Sequence, residues 1–405
     1  MTSPGTSPVT NPATSGTTTS DVTWRQANAR RLARQALDDP SPAAPSGLTP
    51  SAVAGAMLGA HAQVLSAAEL SLALRMGAGA TRADVRRALW EEGTLVKTYG
   101  PRGTVHLLSA ADMQLWTGAL SAVPSGPPPW PEDVRMGPER TDEVVAAIAD
   151  ALADEALTTD ELTEAIVART GPWAGERVME AFQDKWPRWR QATHTAAHRG
   201  VLAFGPNRGR KVTYTNPRVT PLPGPDALGR LVVRYLRAYG PATPQNFAKW
   251  LAAPKEWATG LFASLAGAAR IEEVRFEGGP AWVAAGDAAF PDAPARGVRL
   301  LPYFDAYTIA SQPRDRLFAG AARDRALAGG QAGNYPVVLV DGTVAGVWHQ
   351  RRSGRRITVT VEPIGPALAT RRAREELATQ AERVGAILEG RTELVVGPVA
   401  VGPHA

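Results

Sequence analysis

The sequence predicts an α+β chain, because one plan recurs three times: short helices, then two strands joined by a glycine-rich turn. A change of character after Gly286 supports this, since hairpins dominate from there on and one long amphipathic helix, 371–388, interrupts them. Residues 1–20 are dominated by Ser, Thr, Pro and Gly without a charged side chain, and read as a disordered tail. The expected organisation is therefore tail 1–20, units at 21–125, 140–222 and 226–286, and a C-terminal antiparallel β element with one helix at 287–405. Proline- and glycine-rich stretches at 40–45, 124–131 and 221–225 serve as linkers or loops.

In the first unit, Thr49 caps a helix with Pro50 at its first position, and Val53, Met57, Leu58 and Ala60 keep a helical period. Ser66-Ala67-Ala68-Glu69 reads as a capping box opening a helix through Leu70, Leu72, Leu74 and Met76. A helix over 82–92 stops at Gly93, and strands 94–99 and 104–108 flank the turn Gly100-Pro101-Arg102-Gly103. In the second, Thr159-Asp160-Glu161 opens a helix with acids in its first turn, and a later helix through Ala192, Ala196 and Ala197 ends near Gly200. Strands 201–205 and 211–215 follow. The third has helices 231–239, 244–251 and 256–268, then strands 270–276 and 281–285 around Glu277-Gly278-Gly279-Pro280. Helices followed by a two-stranded hairpin describe a winged helix, whose last helix can enter a groove while the wing touches phosphate. Beyond these, strands 336–340 and 344–349 meet at the tight turn Asp341-Gly342. A second turn leads to strand 357–362, and strand 393–399 closes the chain.

At 405 residues and 44% hydrophobic composition, the chain can fill several cores. It has no 18-residue apolar run and no cysteine, which excludes a membrane-spanning helix, disulfides, thiolate metal sites and cysteine nucleophiles. A cytoplasmic, nucleoid-associated protein is the expectation. The net charge of +5 suits a polyanionic partner without demanding one. There is no Walker loop, dinucleotide fingerprint, HExxH or GxSxG. His194 and His198 have the i,i+4 spacing of metal ligands, but no acidic third ligand is near, so neither a metal nor a cofactor is expected.

The candidate site is His61-Ala62-Gln63, at the junction of two helices. In an extended junction alternate side chains point the same way, so an imidazole and an amide converge and can position a water. The alternative is a helix cap with a polar residue in the turn. Wing residues Lys97, Tyr99, Arg102, Arg208, Arg210 and Lys211, and the cluster Arg351, Arg352, Arg355 and Arg356 on one hairpin tip, read either as phosphate contacts or as charged strand edges. The third wing carries Glu272, Glu273 and Glu277 and is a poorer phosphate ligand. Strand alternation puts Arg102, Thr104 and His106 on one face, and His106, like Arg102, is expected to contact DNA or lie near the active site. Asp305, after Tyr303 and Phe304 and ahead of Arg314 and Arg316, is a candidate for active-site support or for a plain pair with an arginine.

From residue 22 onward the chain resembles the AlkZ-like winged-helix DNA glycosylases. The resemblance rests on the junction motif followed by residues 66–75, on Val96–Leu107 with Lys97, Tyr99, Arg102 and His106, on His198-Arg199-Gly200-Val201-Leu202, on residues 235–250, on Leu301–Asp305 and on residues 340–348. It implies a triple winged helix with a terminal β element, and catalysis from a Gln-apolar-Gln or Gln-apolar-Asp motif at the junction. Gln63 carries over directly, whereas His61 stands where glutamine is commoner. The His-apolar-Gln version is similar to the branch of antibiotic producers, which remove bulky N7-guanine adducts of the trioxacarcin type. The resemblance thus implies a glycosylase acting on double-stranded DNA carrying alkylated guanine, with His61 and Gln63 catalytic; the absence of a lysine in the motif predicts a monofunctional enzyme, and a monomer is expected. The three units alone fit a non-enzymatic DNA-binding regulator equally well.

Overall fold

The fold is that of a computed structural model describing residues 21–39, 47–124, 126, 130–180, 184–327 and 329–402. The expected tail 1–20 and linker 40–45 lie outside those residues. The chain opens with β1 (Asp21–Val22) and α1 (Trp24–Arg34), the latter held by a capping box between Thr23 and Gln26. The first unit follows as α2 (Pro50–Ala56), β2 (Ala60–His61), α3 (Leu65–Arg75), α4 (Arg82–Trp90), β3 (Leu95–Tyr99) and β4 (Val105–Ser109), with sheet order β2-β4-β3. Thr49 Oγ1 accepts the Ala52 N–H at 3.1 Å, so the cap-and-proline start of α2 is realised. The capping box at Ser66 is not. α3 begins at Leu65 with Val64 as an uncapping N-cap, and Glu69 is buried against Arg86 at 2.6 Å instead. Helix α4 lies over that position and takes the carboxylate for an ion pair.

α5 (Met113–Ser121) leads to the second unit, α6 (Pro138–Ala151), β5 (Leu157–Thr158), α7 (Thr159–Thr170), α8 (Thr193–His198), β8 (Ala203–Arg208) and β9 (Lys211–Thr215). A short hairpin, β6 (Arg177–Glu180) and β7 (Lys185–Pro187), is inserted between α7 and α8, where no strand was expected. The third unit is α9 (Gly224–Tyr239), α10 (Pro244–Leu251), α11 (Lys255–Gly267), β10 (Ile271–Phe276) and β11 (Gly279–Ala284). The second unit pairs β5 with β9, and in the third Ala242 bridges Trp282 at the equivalent place. The order helix, strand or bridge, helix, helix, hairpin thus occurs in all three.

The C-terminal part departs from the expected plan. Its sheet runs β12 (Val298–Leu301), β13 (Val337–Val340), β14 (Thr343–Ser353), β15 (Arg356–Pro363) and β16 (Arg391–Val396), and β16 is parallel to β15 because α15 (Arg371–Ile387) crosses between them. It is therefore not wholly antiparallel. Three short helices, α12 (Ala306–Ala310), α13 (Arg314–Leu317) and α14 (Ala321–Ala326), join the one long helix that was expected. Asp341 and Gly342, both at positive φ, make the two-residue β13–β14 turn. The arginine-rich turn is also tighter than the sequence suggests, since Ser353 pairs with Arg356 and only Gly354-Arg355 turn.

Both faces of this sheet are covered. One shares a core with the first unit, in which Leu70, Leu72 and Leu89 meet Trp348, Val359 and Leu377. The other packs α1 and α14 through Leu32, Leu339 and Ala322. Coverage on both faces explains the unbroken apolar run Val337–Val340, which lacks the alternation of a one-sided strand. Residues 21–34 belong with the third unit and this sheet rather than with the first unit. β1 pairs parallel with β10, and Arg31 donates to the carbonyls of Gly240, Pro241 and Gln312. The second unit has its own core around Trp189, Ile148 and Leu162.

Candidate active site

Leu58 and Gly59 at positive φ end α2 and turn the chain into β2, which lies antiparallel to β4 with His61 opposite His106. A side chain at Gly59 would strike Leu108 at 2.6 Å, so glycine is needed there. The Ala62 N–H donates to the Val105 carbonyl at 2.7 Å, and Ala62 is buried. The junction is therefore extended, and His61 and Gln63 both reach one cavity of about 440 Å³ while Ala62 turns inward. Wing one contributes Arg102 and Thr104, α10 contributes Asn246, Lys249 and Trp250, and the segment around α12 contributes Phe304, Gln312 and Arg314. Gln331 and Asn334 complete a lining rich in amides.

His61 is only 7% exposed. Its ring stacks on Phe304 at 4.6 Å and meets His106 edge-on at 5.1 Å. Burial, helped by the charge of Arg102, pushes its imidazole down to about 4, so it is neutral at physiological pH. Its Nδ1 is buried with no partner among the described residues, and the Gln63 side chain, exposed to the cavity, has none either. His106, expected to contact DNA, is instead 4% exposed and packed behind His61, and its Nδ1 sits 2.8 Å from the Thr104 carbonyl. That oxygen only accepts, so Nδ1 carries the hydrogen. Burial, His61 and Arg102 together hold His106 well below the usual histidine range.

Arg102 is not on a strand. It occupies a single 3-10 turn, Pro101–Gly103, with φ of 62°, so alternation along the strand does not set its direction. It still shares the cavity with Thr104, and its Nη1 donates to the Trp250 carbonyl at 2.6 Å. Asp305 lies outside the cavity. It is 1% exposed, its oxygens take Arg75 at 2.8 and 2.9 Å and Ser71 at 2.6 Å, and it caps α12 through the Tyr307 N–H. Its partner is Arg75 on α3, not the downstream Arg314 or Arg316. Its effect on the site is to anchor Phe304, which has φ of 55° and stacks on His61.

Lys97 and Tyr99 turn towards the second unit instead of outward. Lys97 Nζ lies 4.9 Å over Phe204, and Tyr99 meets His194 edge-on at 4.4 Å. The neighbouring Thr98 hydroxyl donates to the Leu202 carbonyl, so the edge of β3 that is not paired with β4 is a seam. Arg208, Arg210 and Lys211 are exposed on the second hairpin, with Arg208 paired to Glu161 and Lys211 to Asp160. Arg351, Arg352, Arg355 and Arg356 are exposed at the β14–β15 tip, where Arg356 pairs with Glu393. Such surface pairs contribute little and exchange readily for phosphate. Among the described residues no third ligand joins His194 and His198, whose rings are 6.5 Å apart. The sequence reading singled out neither Asn246 nor Lys249, although residues 235–250 carry the resemblance, and it missed Gln312, Gln331 and Asn334, which come from segments with no motif.

A neutral imidazole and an unpartnered amide in a cation-bearing cavity can hold a water beside a bound polyanion. That is the equipment of a hydrolytic enzyme of nucleic acid, and comparison with known proteins gives the class. The AlkZ-like family profile, described as DNA glycosylase AlkZ-like, matches residues 54–387. An interstrand DNA cross-link repair glycosylase from Streptomyces sahachiroi is 33% identical over 344 residues, covering 81% of this chain and 88% of that protein. The solved structure of Streptomyces sahachiroi DNA glycosylase AlkZ superposes with a TM-score of 0.78 at 29% identity, covering 93% of this chain and 100% of that one. The chain belongs to the AlkZ-like DNA glycosylase family and is a DNA glycosylase.

Proposed function

We propose that this glycosylase excises cationic N7-alkylguanine from double-stranded DNA, with bulky natural-product adducts as its targets and self-protection of a producing cell as its role. The observation that carries the reading is the convergence of His61 and Gln63 on one cavity with no carboxylate among its described lining residues. A site without an acid to protonate the base suits a leaving group that is already positively charged. As the C1′–N9 bond breaks, its electron pair neutralises the imidazolium ring of the lesion and leaves an oxocarbenium-like sugar. Gln63 directs its carbonyl dipole at that cation and holds the water. The water oxygen bonds to C1′, and its proton passes to His61 and then to solvent. A base titrating near 4 is sufficient, because water bonded to a carbocation is a far stronger acid than the imidazolium.

The three repeated units are read as winged helices acting as a monomer on cytoplasmic DNA. The exposed arginines of the second hairpin and the β14–β15 tip contact phosphate. The junction motif itself carries no lysine, which suits a monofunctional enzyme, although Lys249 lines the same cavity. The relative's cross-link repair extends to this chain if it releases a tethered base from a cross-linked duplex, since one such release parts the strands. The test is incubation with duplexes carrying N7-methylguanine, a bulky N7 adduct or an N7–N7 cross-link, with analysis of free base and abasic sites. Release of the bulky adduct supports the reading, and no release from either the bulky-adduct or the N7-methylguanine duplex overturns it.

A further inference from the structure

The cavity mouth holds three cations, and they are not equivalent. Arg314 is half-buried, with its guanidinium donating to the carbonyls of Thr308 and Ile309. Arg102 spends one nitrogen on the Trp250 carbonyl, which leaves most of its five donors available. Lys249, one residue before that carbonyl on α10, is exposed and has no hydrogen-bond or ion-pair partner among the described residues. The Arg102–Trp250 bond therefore fastens wing one to α10 and brings a second, unspent cation to the same rim. Elsewhere in the molecule exposed cations pair with carboxylates, as Arg208, Lys211 and Arg356 do. Here no carboxylate is present among the described lining residues to pair with them.

We propose that Lys249 and Arg102 form a two-cation clamp for a backbone phosphate beside the lesion, contributed jointly by the first and third units. The clamp sets the register of the strand, so that the damaged nucleotide faces His61 and Gln63. Lys249 is thus a binding residue, and it takes no part in bond breaking. The inference rests on DNA glycosylase activity and not on the identity of the damaged base.

The test uses the full chain and a fluorescent duplex containing a tetrahydrofuran abasic analogue, with affinity measured over a range of salt. Lys249→Ala is expected to weaken binding about tenfold and to make the plot of log K against log salt shallower by about 0.9, the loss of one phosphate contact. Lys249→Arg is expected to restore the slope. Unchanged affinity and slope in Lys249→Ala would overturn the clamp, as would equal weakening in both variants with the slope intact, which marks a structural role. Borohydride reduction with natural abasic-site DNA is expected to trap nothing on Lys249, and a trapped adduct there would make it a nucleophile and contradict the proposal. Because the probe carries no alkylated base, failure here is separable from failure of the N7-guanine reading.

Discussion

At the scale of single residues, the site depends on keeping an imidazole neutral beside a free amide. His61 titrates near 4 when folded and near 6.5 when unfolded, so the unfolded chain binds the proton first. Its stabilising contribution is complete above about pH 6.5 and is lost as the pH falls towards 4. His106 is shifted the same way, and Glu362, whose carboxyl is held low by Arg325, loses stability at still lower pH. The clean readout is therefore a difference. The fall in melting temperature between pH 7 and pH 5 is expected to be smaller in His61→Gln than in the parent protein, and identical falls would place His61 in contact with water. Across pH 6 to 8 the rate of base release is expected to be flat, which a pH–rate profile tests, because His61 does not titrate there. The meeting of His61 and Gln63 was legible from the spacing of two polar residues in an extended junction. The depressed pKa was not, because it arises from burial, with Phe304 and His106 packed on the ring from distant parts of the chain, and from the charge of Arg102.

At the scale of elements, the cavity is held by connections that leave no local trace. Asp305 ties the start of α12 to Arg75 on α3, and both side chains are fully buried. Removing one partner of such a pair strands the other charge, so Asp305→Ala is expected to cost about 3–5 kcal/mol by denaturant unfolding. A loss under 1 kcal/mol would contradict the assignment of Asp305 as the anchor of Phe304. Gly100 supports wing one in a different way. A Cβ there would come within 2.8 Å of His106 Nδ1, so Gly100→Ala is expected to displace that ring and slow base release more than it weakens DNA binding, as single-turnover kinetics beside binding would show. Capping residues, glycine turns and helical periods were readable because each acts within a few residues. Glu69 shows the limit. It completes a capping-box pattern, yet its carboxylate goes to Arg86, seventeen positions away.

At the scale of the whole molecule, the repeat of helices and hairpins was legible, but the sharing of cores was not. The first unit and the C-terminal sheet bury one another, and residues 21–34 serve the third unit and that sheet, although they precede the first unit in the chain. Deleting residues 1–37 is accordingly expected to lower the melting temperature and to raise hydrogen exchange in β10, β13 and β14 while leaving the second unit protected. Uniform protection would contradict this packing. Wing one likewise gives Lys97 and Tyr99 to the second unit and Arg102 to the third, so that one hairpin sets the relation of three units around the cavity. The central claim is that this arrangement makes His61 and Gln63 the catalytic pair. It is tested most directly by single-turnover release of base from an N7-alkylguanine duplex by the parent protein, His61→Ala and Gln63→Ala, with folding and DNA affinity checked in parallel. The expected result is release by the parent and a loss of about 100-fold or more in each variant at unchanged affinity. Release at the parent's rate by both folded variants would contradict it.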